Sequence, residues 1–213
     1  MQGDMDIVDP LIEEYLTRLS PSPDPVETEM RRFADERGGF PIIGPLVGQL
    51  LSHYAQAIGA RRVFELGSGF GYSAFWLARA VGPDGHVVLT ETDPEHVRRA
   101  RDFLAQAALL DRCRIENSDA LSHLEKAGEQ DLIFVDIEKA DYPKAFALAL
   151  PRLRKGGLLI ADNVLWGGAV VRGERDAATE GIREYMRLIH AAPNLLSVVI
   201  PIRDGVAVSL RIG

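Results

Sequence analysis

The sequence predicts an α/β fold: a doubly wound, mostly parallel seven-stranded sheet with helices on both faces and an antiparallel C-terminal hairpin. Three observations predict it. Apolar runs recur at 62–66, 87–90, 112–116, 131–135 and 158–161 with helix-compatible stretches between them, the alternation of parallel strands joined by crossover helices. The last stretch, LLSVVIPIRDGVAVSLRIG, reads instead as two strands about a turn at 203–205, which makes an antiparallel edge. The length, 213 residues, suits one core of this kind.

Before the first run, residues 6–19 and 26–37 read as short helices separated by the proline-rich SPSPDP at 20–25, which forces extended or turn backbone. Residues 1–213 are therefore expected to form one domain, with 1–40 as a helical N-terminal appendage. From Gly44, the residues Leu46, Leu50, Leu51 and Tyr54 share a helical face, and Gly59 supplies a stop. A hydrophobic content of 46% contains no apolar run near the roughly 20 residues that a membrane helix needs. The start, MQGDMDIVDP, has neither the basic nor the apolar region of a secretory signal, so a cytoplasmic protein without membrane partners is expected. Cys113 is the single cysteine, and the five histidines are dispersed without zinc-like pairing. A net charge of −7 disfavours broad contact with nucleic acid and favours small-molecule partners.

Ligands of such sheets bind beyond the carboxyl ends of the strands. After the first run come Gly67, Gly69 and Gly71, where missing side chains let a ligand approach the backbone. The spacing is G-x-G-x-G rather than the dinucleotide G-x-G-x-x-G, and Glu65 lies at the same strand end. A carboxylate there repels a pyrophosphate and suits an ammonium. S-adenosylmethionine carries an ammonium and a sulfonium and no phosphate. Glu91, 26 positions after Glu65, is placed to accept from ribose hydroxyls, while Asp93 before Pro94 reads as a helix cap. Ser118, Asp119 and Ala120 follow the third run; they either border an adenine or cap a helix.

Two further strand ends carry acids. DLIFVDIEKADY places Asp136 after an apolar run with Lys139 three residues on, and LLIADNVLWGG places Asp162 and Asn163 likewise. Two carboxylates and an amide from neighbouring strand ends are hard oxygen donors of the type that holds Mg²⁺ or Ca²⁺, although each acid alone reads equally as a turn residue. Trp166 is either an aromatic wall or core packing.

Taken in order, ELGSGFGYS, TETDP, VDIEKADY and ADNVLWGG resemble the cofactor, ribose, metal-and-base and second metal motifs of the cation-dependent class I S-adenosylmethionine O-methyltransferases, the family of catechol and caffeoyl-CoA O-methyltransferases. The resemblance spans roughly residues 40–213 and implies a Rossmann-like methyltransferase fold. It implies that Asp136, Asp162 and Asn163 hold a divalent cation, Mg²⁺ ahead of Ca²⁺ or Mn²⁺, with Asp136 and Lys139 catalytic and Lys139 the general base. It also implies that Glu65, Gly67, Ser73 and Glu91 contact the cofactor, that Ile43 in FPIIGPLVGQLL covers its methionine end, and that the enzyme is a homodimer. The chain departs from the family at Ile137 and Glu138, where relatives often have a small residue and an acid, and in ENSDAL, which lacks a common glycine. The N-terminal region and WGGAVVRGERDAATEG, which would shape the acceptor pocket, are the least similar parts.

Two acceptor classes follow. One is a small molecule with catechol-like or other vicinal oxygens; the other is hydroxyuridine in tRNA, which bacterial relatives methylate. A basic stripe from Arg172, Arg175 and Arg203 would favour RNA. A non-catalytic cofactor-binding module would need neither the cation set nor the base, and a nicotinamide dehydrogenase fits neither the glycine spacing nor Glu65.

Overall fold

The structure, a computed structural model, describes residues 6–19 and 24–213. Its elements run α1 (Pro10–Leu19), α2 (Pro25–Glu36), α3 (Gly44–Ala57), β1 (Arg62–Leu66), α4 (Tyr72–Ala80), β2 (His86–Glu91), α5 (Pro94–Gln106), β3 (Cys113–Asn117) and α6 (Ala120–Leu124). Then follow β4 (Gln130–Val135), α7 (Tyr142–Ala149), β5 (Leu153–Ala161), α8 (Ala169–Arg172), α9 (Ala177–Ala191), β6 (Leu195–Ile200) and β7 (Val206–Arg211). Most of the extended segment expected at 20–25 lies outside the described residues; Asp24 is extended, and its side chain accepts from Val26 N to cap α2.

The seven strands lie in the order β3-β2-β1-β4-β5-β7-β6. The first five are parallel, and β7 pairs antiparallel with both β5 and β6. β5 begins at Leu153, earlier than the apolar run at 158–161, and its register with β4 shifts between Gln130 and Leu132. The polar segment Arg154, Lys155, Gly156 and Gly157 hides this part of the strand from a hydrophobic pattern.

Alternate residues of each strand feed two cores, as the two-residue period requires. Val63, Leu89, Phe134 and Ile160 face α3, α4 and α5. Phe64, Leu66, Ile133, Val135 and Leu159 face α6, α7 and α9. The N-terminal helices divide between the two behaviours. α1 buries no residue, whereas α2 buries Val26, Glu27, Met30 and Ala34 in the first core. The Glu27 carboxylate accepts from Tyr72 OH at 2.5 Å, and Phe33 packs edge-on to Phe70. Apolar periodicity thus makes α2 a core helix, while α1 packs outside the core.

The amino ends of the strands are tied together by Asp131. Its carboxylate accepts from the backbone N–H of Arg61 and Arg62 at 2.9 and 2.8 Å and from Arg154 Nε at 2.7 Å. Burial pushes this carboxyl up, but those backbone donors and the Arg154 and Arg62 guanidinium groups outweigh it and hold the carboxyl at about 2. The opposite, carboxyl end of the sheet is left free for a site.

Candidate active site

At the carboxyl end, four loops leave the sheet in register. The backbone N–H of the first or second residue beyond each strand still bonds to a neighbouring strand: Ser118 to Glu91 O, Asp136 to Leu66 O, Asp162 to Val135 O, and Ser68 to Thr90 O. The parallel ladder therefore extends into the loops and fixes where their side chains start. Gly67, at φ +78, passes so close to the β4 loop that a Cβ there would lie 2.2 Å from Asp136 O, so the turn closes only with glycine.

These loops and residues 40–43 line a crevice of about 580 Å³, within the range of small-molecule sites. Ile43, Gly67, Ser73, Glu91, Ser118, Asp119, Ala120, Asp136, Lys139, Asp162, Asn163 and Trp166 all lie on its wall. Glu65 does not. It is fully buried behind the glycine turn, accepting from Ser68 Oγ at 3.0 Å and from Ser73 Oγ. Burial pushes its carboxyl up to about 8 against those two hydrogen bonds. Glu91 Oε1 accepts from the N–H groups of Thr92 and Asp93, each at 2.8 Å. Asp93 caps α5 through Glu95 N. Asp119 caps α6 through Ser122 N while also reaching the crevice, so its two readings are compatible.

At the far end, Lys139 is 6% exposed. Its Nζ donates to Asp136 Oδ1 at 2.8 Å and to Tyr142 OH at 2.9 Å. Tyr142 OH in turn donates to Asp162 O at 2.9 Å. Asp162 is buried, and its Oδ1 has no hydrogen-bond partner. Burial, and after it the negative charge of Asp136, raises the Asp162 carboxyl above its ordinary range. Asn163 and Trp166 both have positive φ, +55 and +50, and the Trp166 ring lies 5.8 Å from Lys139 Nζ. Among the described residues, no three His, Cys, Asp or Glu side chains group as a metal site; the set here is two carboxylates and an amide.

Sequence reasoning missed Tyr142, Ser68, Thr90 and Phe40, which border or brace the crevice. Tyr142 had a signal, three residues after Lys139 at the start of a helix. The others carried none that separates them from loop or core residues.

A second cavity of similar size shares Pro41, Ile42, Asp162, Asn163 and Trp166 with the first and is otherwise lined from α1, the α8 region and the β6–β7 turn. The three arginines considered for a basic stripe do not form one. Arg172 pairs with Glu174 at 3.1 Å, Arg203 lies 3.5 Å from Glu13, and Arg175 is exposed.

A family model described as O-methyltransferase matches residues 24–212. The chain is 35% identical over 150 residues to a catechol O-methyltransferase of Mycobacterium tuberculosis, covering 70% of this chain and 68% of that protein. Its fold is similar to that of TomG from Streptomyces achromogenes, an O-methyltransferase involved in tomaymycin synthesis and solved with S-adenosylmethionine, at a TM-score of 0.87 and 28% identity over 95% of this chain and 96% of that one. An O-methyltransferase of Bacillus cereus solved with S-adenosylhomocysteine gives 0.86 and 29% over 94% and 97%. The chain belongs to the O-methyltransferase family and is an S-adenosylmethionine-dependent enzyme of it. No helix among the described residues is long and apolar enough to cross a membrane.

Proposed function

We propose that the enzyme methylates one hydroxyl of a small acceptor bearing catechol-like or other vicinal oxygens, assisted by a divalent cation. The observation that carries this reading is Asp162 Oδ1, a buried oxygen with no hydrogen-bond partner, on the strand end beside the Asp136–Lys139 pair. An unpartnered buried carboxylate oxygen is costly, and a second carboxylate nearby increases the cost. A hard cation relieves both, and the Asn163 amide completes an oxygen donor set. Asp136, Asp162 and Asn163 would hold it, Mg²⁺ before Ca²⁺ or Mn²⁺. When bound, the cation favours the ionised form of a neighbouring hydroxyl, and S-adenosylmethionine supplies the methyl group.

The chain's own groups do the rest. Asp136 and Tyr142 accept two of the Lys139 N–H bonds and so fix the orientation of Nζ, the group that would take the acceptor's proton as general base. Tyr142, anchored on Asp162 O, holds the lysine in that orientation. Ser73 and Glu65 form the base of the subsite for the methionine ammonium; a cation there would favour the ionised Glu65. Glu91 takes the ribose, Ser118 to Ala120 border the adenine, Ile43 covers the methionine end, and Trp166 walls the acceptor. These contacts position the reacting atoms and exclude water. Residues 1–213 act as one domain, and the row of exposed apolar residues on α1, Leu11, Ile12, Tyr15 and Leu19, supports a homodimer.

The tRNA alternative has less support. Six acids line the crevice, Glu91, Asp119, Asp136, Glu138, Asp141 and Asp162, against Lys139 as the cation among the described lining residues, a poor match for a phosphate backbone. Methyl-transfer assays on a catechol panel and on bulk tRNA separate the two. Transfer to catechols supports the proposal, and transfer to tRNA alone would refute it.

A further inference from the structure

The β6–β7 turn places Arg203 at φ +49, a left-handed backbone uncommon for residues with a side chain. Such strain persists where surrounding contacts hold it. On the backbone side, the turn is fastened to the loop that carries Asn163 and Trp166. Asp204 Oδ1 accepts from Gly167 N at 2.6 Å, Asp204 O from Leu165 N at 2.9 Å, and Gly205 O from Val164 N at 3.0 Å. On the side-chain side, the Arg203 guanidinium reaches the N-terminal region. Nη1 donates to Ile42 O at 2.6 Å, and Nε lies 3.5 Å from Glu13 Oε1 on α1. Gly44 makes room for it, since a Cβ there would come within 2.7 Å of Nη1.

Arg203, Glu13 and Ile42 line the second cavity together with Asp162, Asn163 and Trp166. We infer that Arg203 is a positioning residue that straps α1 and the segment at Ile42 to the Asn163–Trp166 loop, and so sets the width of the acceptor cavity. The inference rests on the acceptor site proposed above. Within its own chain α1 buries none of its residues, so modest polar ties weigh heavily in how it sits against that chain. The strap thus bears on how large an acceptor the space between Trp166 and α1 admits.

Arg203→Gly removes both side-chain bonds and takes the positive φ without strain, so the turn keeps its backbone. Amide hydrogen exchange over residues 10–19, which needs no acceptor, is expected to speed up about tenfold or more while β1 and β4 stay protected. The KM for catechol is expected to rise about tenfold, more than kcat falls, and the preference for catechol over a long-chain dihydroxyphenyl acceptor to shrink. Arg203→Lys recovers part of both effects. Glu13→Gln reproduces a smaller version, and the double variant is no worse than Arg203→Gly alone, the signature of one shared interaction. Unchanged exchange over 10–19 overturns the strap. An equal KM increase for both acceptors, additive with Glu13→Gln, also overturns it in favour of a direct acceptor contact. If the wild-type enzyme methylates no diol, the proposed function fails, while the exchange measurement still decides the strap.

Discussion

Lys139 is held by two acceptors in a nearly dry environment, and this arrangement gives the sharpest expectations about single residues. Lys139→Met removes the proposed base with little change in side-chain volume and is expected to lower kcat by about 10²- to 10⁴-fold. Calorimetric titration should show S-adenosylmethionine binding retained; lost binding would make the lysine a structural residue. Tyr142→Phe leaves Asp162 O without its donor and frees the Lys139 Nζ. It should cost about 1–3 kcal/mol of stability by denaturant titration as well as lower kcat. Asp136 and Asp162 were legible in the sequence because each directly follows an apolar run, where a parallel sheet opens, and Lys139 and Asn163 because they lie within three residues of those acids. Tyr142, three residues after Lys139, carried a positional signal, but a buried aromatic at a helix start reads equally as core. The contact of Glu27 with Tyr72 spans 45 positions, and the positive φ of Arg203 follows from its neighbours in space, so neither leaves a local trace.

Between elements, Asp131 binds the starts of β1, β4 and β5 from the side opposite the site. Its carboxyl is held at about 2, below its ordinary 3.8. A depressed carboxylate stabilises the fold above its unfolded pKa, and that contribution disappears as pH falls through the folded value. The window therefore runs from about pH 4 down to about pH 2. Asp131→Asn is expected to lower stability at pH 7 by about 1–2 kcal/mol, a range that allows for the partly exposed arginine partners. Denaturant unfolding at pH 7 and pH 2 checks this: the difference between wild type and variant should shrink at the acid end, and a constant difference would rule the linkage out. The parallel strands and the antiparallel tail were legible from the alternation of apolar runs with helical stretches and from the turn at 203–205; the order of the strands in the sheet leaves no such local mark. The early part of β5 was not legible, because Arg154, Lys155, Gly156 and Gly157 interrupt the apolar pattern after Leu153. α2 shows the converse: its buried Val26, Met30 and Ala34 were present in the sequence, but short helices give no sign of which core they join.

For the molecule as a whole, the sheet places acids at both ends for different purposes. Those at the amino end are satisfied by arginines; at the carboxyl end, Asp162 keeps an oxygen unpartnered. A homodimer formed through the exposed α1 row is expected to run at twice the monomer mass in light scattering, and Leu11→Asp with Tyr15→Asp should return it to monomer. A wild-type monomer at micromolar concentration would contradict that expectation. The cation is the claim on which the catalytic account turns. Methyl transfer from S-adenosylmethionine to catechol, measured with Mg²⁺, after chelation and after Mg²⁺ is restored, tests it most directly. Turnover is expected to fall about 100-fold or more on chelation and to return with the metal. Equal turnover throughout would contradict it and leave Asp162 Oδ1 as a buried acid with another role.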